Sequence, residues 1–455
     1  MRLSKFLAIL MLLCAAVATS HAAVTQFRQQ GSKLVGTGAV GMARQGESVA
    51  VSADGNTAIV GGSGDNGGAG AAWVFTRSGG VWTQQGGKLN GTGAVGLANQ
   101  GGSVALSADG NTAAVGGPSD NSAVGATWVF TRSGGVWTQQ GTKVVGSGAV
   151  SPARQGYSVA LSADGNTVMV GGPSDADFRL EYKGATWVFT RSGGVWTQQG
   201  PKLVSIPLPA GSVQQGYRVA LSADGNTGAV GAPKYSDAYS GLGGGVFIFA
   251  RSGDVWAQQG APLVGTGQVG VTDEGRSVAI SADGDTVLAG GPFDNTAEGA
   301  TWIFTRTGGI WTQQGPKVVG AGAMGFALFG QSVALSADGN TAITGGDFDN
   351  GGTGAMWVFA RSGGIWAQQG GKLVGTGAVG NAQQGHSVAL SADTTTAIVG
   401  GLLDDGQIGA AWVYAAVQEL PAVASVPTVG PTSILALCAL LAAMGLLAVR
   451  HRSAR

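Results

Sequence analysis

Two cysteines, three histidines and a charged fraction of 11% give this 455-residue chain little reactive chemistry. Cys14 and Cys438 each sit in a terminal apolar run. The stretch between them can therefore hold no disulfide, thiol nucleophile or thiolate metal site. His21 and His451 also lie near the ends, which leaves His386 alone in the middle. No zinc triad, Walker loop or nucleophile elbow is present. The charged share is roughly half that of an ordinary soluble domain. Formal charge is zero, but Arg2, Lys5, Arg450, Arg452 and Arg455 sit at the ends. The chain between them carries 20 basic and 25 acidic side chains, a net of −5, which is no nucleic-acid footprint. Glycine is plentiful at 84 residues, yet it lacks the three-residue period of collagen.

What the chain does have is repetition. The stretch 48–57, Ser-Val-Ala-Val-Ser-Ala-Asp-Gly-Asn-Thr, recurs with its aspartate at Asp54, Asp109, Asp164, Asp224, Asp283, Asp338 and Asp393. Those positions are 55 to 60 residues apart, a spacing typical of repeat architectures. Within one unit, Val49 and Val51 alternate with small residues as in a strand. Asp54-Gly55 marks a tight turn, and residues 57–60 form a second strand. Residues 72–76 and 81–85 supply a third and a fourth. Four short strands per unit describe a propeller blade, and seven units describe a seven-bladed ring of antiparallel blades.

One blade buries too little surface to stand alone, so its apolar faces must stack on neighbours. All 12 tryptophans fall at two registers. Trp73, Trp128, Trp187, Trp302, Trp357 and Trp412 form one set, with Phe247 in the fourth unit. Trp82, Trp137, Trp196, Trp256, Trp311 and Trp366 form the other. Both sets are read as core. The Gln-Gln-Gly signature of the fourth strand also occurs at 29–31, before any complete unit, whereas the seventh unit has none after Trp412. Residues 24–35 are therefore expected to supply the outer strand of blade 7 and close the ring. An open solenoid would instead need atypical caps at both ends.

The ends read differently. Residues 1–22 have the basic start, apolar middle and small-residue finish of a secretory signal. The propeller is expected over 23–416 and a linker over 417–433. An apolar run at 434–449 reads as a transmembrane helix once its flank is included, with a basic cytoplasmic tail at 450–455. Two loops between second and third strands are longer than their counterparts and concentrate charge and tyrosine. They hold Asp177, Phe178, Arg179, Tyr182 and Lys183, and Lys234, Tyr235, Asp237 and Tyr239. Insertions on one face of a repeat protein suit a binding surface, although drift in a surface loop explains them too.

On Phe329-Gly330-Gln331-Ser332-Val333-Ala334 and Gly231-Ala232-Pro233, the units resemble bacterial FG-GAP-type repeats, relatives of the integrin head propeller. Most units carry glutamine in place of the phenylalanine, as at Gln45-Gly46 and Gln155-Gly156. The short 53–57 turn lacks the alternating oxygen ligands of the integrin-type calcium loop, so calcium is not carried over. Val426-Pro427-Thr428-Val429, the apolar run and the arginine cluster resemble IPTL-type C-terminal sorting signals of Gram-negative envelope proteins. That resemblance implies a sorting protease and either release to the surface or medium, or an inner-membrane anchor with the propeller in the periplasm.

The functional expectation is an exported, non-enzymatic module binding a surface protein or glycan, with no cofactor, metal or nucleic acid. The alternatives are a self-associating structural component and a carbohydrate-active enzyme. His386 stands where other units hold glutamate, glycine, tyrosine or arginine, and that variability reads as an exposed slot. Near-identical blades argue against a catalytic centre, which needs unlike groups converging.

Overall fold

In the computed structural model, the described residues are 25–418 apart from 151, 177–180, 207–210 and 237–242. The alternation of small and branched residues sets the strands, and the Asp-Gly and Gly-Gly pairs set the turns between them. Blade 1 runs outward from the innermost strand Ser48–Val51 through Thr57–Gly62 and Ala71–Ser78 to the outermost strand Val81–Gln84. Seven such antiparallel sheets of four strands make the ring. The innermost strands neighbour one another in sequence order, and that of blade 7 returns to blade 1. Closure follows the expected route: Thr25–Gln29 pairs with Ala410–Gln418 as the outer strand of blade 7.

The first tryptophan set is fully buried at 0% exposure, and each ring lies between two blades. Each indole also donates to a backbone carbonyl in the preceding connection, as Trp73 Nε1 does to Thr37 O at 2.9 Å. A glycine seats every one of these rings. A Cβ on Gly36 would fall 2.1 Å from Trp73, and one on Gly91 2.0 Å from Trp128. Blade 4 departs from the pattern in a matched way. Phe247 replaces tryptophan, Ser205 stands at the seating-glycine position, and Tyr235 packs edge-on against Phe247 at 5.5 Å. The smaller ring leaves volume that serine and tyrosine fill.

The second tryptophan set corrects the sequence reading. These rings are only half-buried, and each lies under an arginine of its own hairpin, as Arg77 over Trp82 at 5.3 Å. They sit on the outermost strands, packed against the edge of the interblade core rather than sealed inside it.

The membrane helix requires a second correction. Among the described residues no helix is long and apolar enough to cross a membrane. A span takes roughly 20 apolar residues, whereas the longest described strand has 9 residues and the described helical segments are single turns of 4. The run expected at 434–449 falls outside the described residues, as do the signal at 1–22 and the motif Val426, Pro427, Thr428 and Val429. The architecture of the described residues is accordingly the all-β propeller. The transmembrane topology and the inner-membrane partner that rested on that helix are withdrawn. So are the sorting protease and the envelope or surface placement.

Candidate functional site: the channel mouth

The two faces of the ring differ. One carries the first-to-second strand turns and the third-to-fourth strand hairpins, and it is a single network repeated. In blade 2, Ser107 Oγ donates to Asp109 at 2.5 Å, and the backbone N–H of Asn111 donates to the same carboxylate at 2.9 Å. Arg132 Nε donates to Asn111 Oδ1 at 2.9 Å. Arg132 Nη1 and Trp137 Nε1 both donate to Gln85 Oε1 of blade 1, at 3.1 and 3.0 Å. Partial burial opposes ionisation of Asp109, but the bonds from Ser107 and Asn111 outweigh it and hold the carboxyl below its ordinary value. These aspartates are structural.

The other face carries the second-to-third strand loops and the connections between blades. Its paired aspartates are structural too. Asp65 is fully buried, receiving Lys88 Nζ at 2.5 Å on one oxygen and the Val40 N–H at 2.7 Å on the other. The same arrangement recurs as Lys33–Asp404, Lys143–Asp120, Lys202–Asp175, Lys317–Asp294 and Lys372–Asp349. Blade 4 has Pro262 in the lysine position. With both carboxylate oxygens engaged, these groups are not arranged as open cation ligands. Among the described residues no cluster of three or more His, Cys, Asp or Glu is placed to hold a metal.

At the centre of this face the channel opens into a mouth of about 360 Å³. Its lining includes the residue just before each innermost strand: Glu47, Gly102, Tyr157, Tyr217, Arg276, Gln331 and His386. The surrounding chain repeats, yet this position holds six different residue types in seven blades. The pattern was visible in the sequence as the variable slot of His386. What the sequence concealed is that seven slots 55 to 60 residues apart meet at one opening.

The mouth is electrostatically lopsided. The Tyr157 and Tyr217 rings lie tilted at 53° to each other with centroids 5.0 Å apart. Arg154 lies 5.4 Å from the Tyr157 ring, Arg218 5.7 Å from Tyr157 and 5.5 Å from Tyr217, and Arg276 5.3 Å from Tyr217. Burial, then the neighbouring Tyr217, pushes the Tyr157 phenol up to about 12, so it stays protonated. On the other side Glu47 accepts from Ser63 Oγ at 2.5 Å and faces Arg44 at 3.9 Å. His386 Nδ1 meets the buried Asp347 at 2.8 Å.

Of the sequence-nominated loop residues, Asp177, Phe178, Arg179, Asp237 and Tyr239 lie outside the described residues. Tyr182 is exposed, while Lys183 is buried and donates to Glu181 and to the Gly211 carbonyl. Tyr235 is committed to the core around Phe247. Lys234 reaches Asp273 at 2.8 Å, beside Arg276 of the mouth. Of the described loop residues, Lys234 is thus tied to the mouth through Asp273.

No family model matches the chain, and no curated protein matches it. The class defined by fold and site is the seven-bladed β-propeller.

Proposed function

We propose that this protein is a non-catalytic binding propeller of FG-GAP-like kind, taking a protein or glycan at its channel mouth, with Lys234 beside it. The observation that carries this reading is the convergence of the chain's varied residues on one opening in an otherwise repeated ring. At the position before each innermost strand the blades diverge most, and there the residues line an open cavity. Catalysis is the weaker reading. Glycoside hydrolysis uses two facing carboxylates. Glu47 is the one carboxylate in the described lining, and Asp347 is held by His386.

Gly102 provides the test. A Cβ there meets nothing closer than 3.5 Å, so Gly102→Trp would fill the mouth without disturbing the backbone. The full-length chain is screened against a panel of purified neutral and acidic oligosaccharides and peptides. Binding that disappears in Gly102→Trp but survives Val136→Ser, an exposed hairpin change, is the expected result. Undiminished binding by the plugged variant, or turnover of a bound oligosaccharide, overturns the reading.

A further inference from the structure

This inference rests on the mouth being the binding site and names the chemistry it would take. Six blades begin the innermost strand with serine, and each hydroxyl ties its blade to the next. Ser48, Ser103 and Ser158 accept from the Val104, Val159 and Val219 N–H groups at 2.9, 2.9 and 3.0 Å. Ser277, Ser332 and Ser387 donate to the Gly330, Gly385 and Gly46 carbonyls at 2.7, 2.7 and 2.8 Å. Blade 4 has Arg218 there and forgoes the link. In exchange its guanidinium makes one hydrogen bond among the described residues, to the adjacent Tyr217 carbonyl at 3.2 Å.

Arg218 also stands among like charges. Arg154 shares the Tyr157 ring with it, and Arg276 shares the Tyr217 ring. Among the described residues neither Arg154 nor Arg218 forms an ion pair. Arg276 has Asp273 at 3.7 Å, but Lys234 already holds that carboxylate. Gln331 accepts from Arg276 Nε at 3.1 Å and adds no charge. Across the opening, Glu47 is engaged by Ser63 and Arg44, and Asp347 by His386. Three guanidiniums crowded on two rings repel one another, and an anion between them would relieve that repulsion. The tyrosine faces are occupied by cations, so they are not free platforms for a neutral sugar ring. Arginine's fixed fork of donors suits a planar carboxylate or a phosphate.

We propose that the Arg154–Arg218–Arg276 side of the channel mouth binds an anionic ligand by its carboxylate or phosphate group, with Arg218 in direct contact. The cavity admits a group about the size of a sugar ring.

Arg218→Ser is a clean probe, because serine is the residue the other six blades use and the interblade link can form. Calorimetric titration of the full-length chain would compare trigalacturonate, inorganic phosphate and neutral galactotriose. The proposal expects binding of at least one anion and not of the neutral trimer. That binding should fall about tenfold or more in Arg218→Ser and weaken with added salt, with melting temperature unchanged. Trigalacturonate alone would indicate an acidic glycan, and phosphate alone a phosphorylated ligand. No anion binding, equal binding of the neutral trimer, or full binding by Arg218→Ser overturns the proposal. A panel ligand still lost on Gly102→Trp but indifferent to Arg218→Ser would leave the mouth as the site and remove only the anionic assignment.

Discussion

The two faces of the ring were built from the same repeat under opposite constraints. On the hairpin face the arginine and tryptophan of each of blades 1 to 6 donate to a glutamine of the preceding blade, so a change in that glutamine breaks bonds made by the next blade. On the loop face the residue before each innermost strand lines the opening, and its contacts differ from blade to blade: Ser63 for Glu47, Asp347 for His386, Gln331 for Arg276. Repetition therefore marks structural duty here, and its loss marks freedom to serve a ligand. Blade 4 sharpens the point, because its departures are of both kinds. Phe247 with Ser205 is a compensated core exchange, whereas Arg218 gives up a link without a compensating ion pair among the described residues.

The contrast is broken most severely in the core. Trp187→Ala empties a fully buried site between blades and should cost about 3–5 kcal/mol, read as a lowered denaturation midpoint. Loss below ~1 kcal/mol would mean that the blades do not depend on the ring for stacking.

Next comes a single charged exception. Glu274 stands where most blades have glutamine, fully buried, accepting from the Gly265 N–H at 2.8 Å and from Gln268 at 2.6 Å. Its other oxygen has no donor, and it occupies the position from which Gln45 donates to a carbonyl. Burial pushes its carboxyl up to about 8, so the folded state favours the protonated form. A raised folded value means that the stabilisation is complete at low pH, below the unfolded value. It is lost as pH rises through about 8. Glu274→Gln should remove this loss. Stability above pH 9 should rise by on the order of a few kcal/mol relative to the parent, with little change near pH 5. Parallel pH–stability curves for the two proteins would refute the assignment.

The blade 4 exchange predicts a non-additive pair. Phe247→Trp alone meets Ser205 and Tyr235 and should cost about 1–3 kcal/mol. Adding Ser205→Gly should recover part of that, measured as coupling in a double-mutant cycle. Strict additivity would show that the two positions do not share a cavity.

Smaller still is the network itself. Gln85→Ala removes the acceptor shared by Arg132 and Trp137 and should cost about 1–2 kcal/mol. Gln369 follows the last hairpin and bonds its own Ala367 carbonyl, so Gln369→Ala should be near neutral in thermal melts. Equal effects would dissolve the distinction between linked and unlinked glutamines. The mildest test is acid. Asp54, Asp109, Asp164, Asp224, Asp338 and Asp393 are each partly buried, which alone would raise them. Their serine and backbone bonds nevertheless hold them below the ordinary value of 3.8. Depressed values stabilise above the unfolded value and lose that contribution as pH falls below it, so stability should decline only under pH 4. A decline beginning near pH 6 would point to other groups.

By itself the sequence determined the seven blades, the four strands in each and the closure through Thr25–Gln29, because strand alternation and turn chemistry are local and were written seven times. It did not separate the two tryptophan sets. Both recur once per blade, and only the stacking of blades decides that Trp73 is sealed while Trp82 lies at the rim under Arg77. Length drew attention to the 175–183 and 234–240 loops, but Tyr235 is half-buried against Phe247 and Lys183 is buried and held by Glu181 and the Gly211 carbonyl. The mouth was present in the sequence only as a position that failed to repeat. Its meaning depended on the ring, which carries Tyr157, Tyr217, Arg218 and Arg276 to one opening although up to 119 residues separate them. That convergence is a property of tertiary closure, which no local pattern encodes.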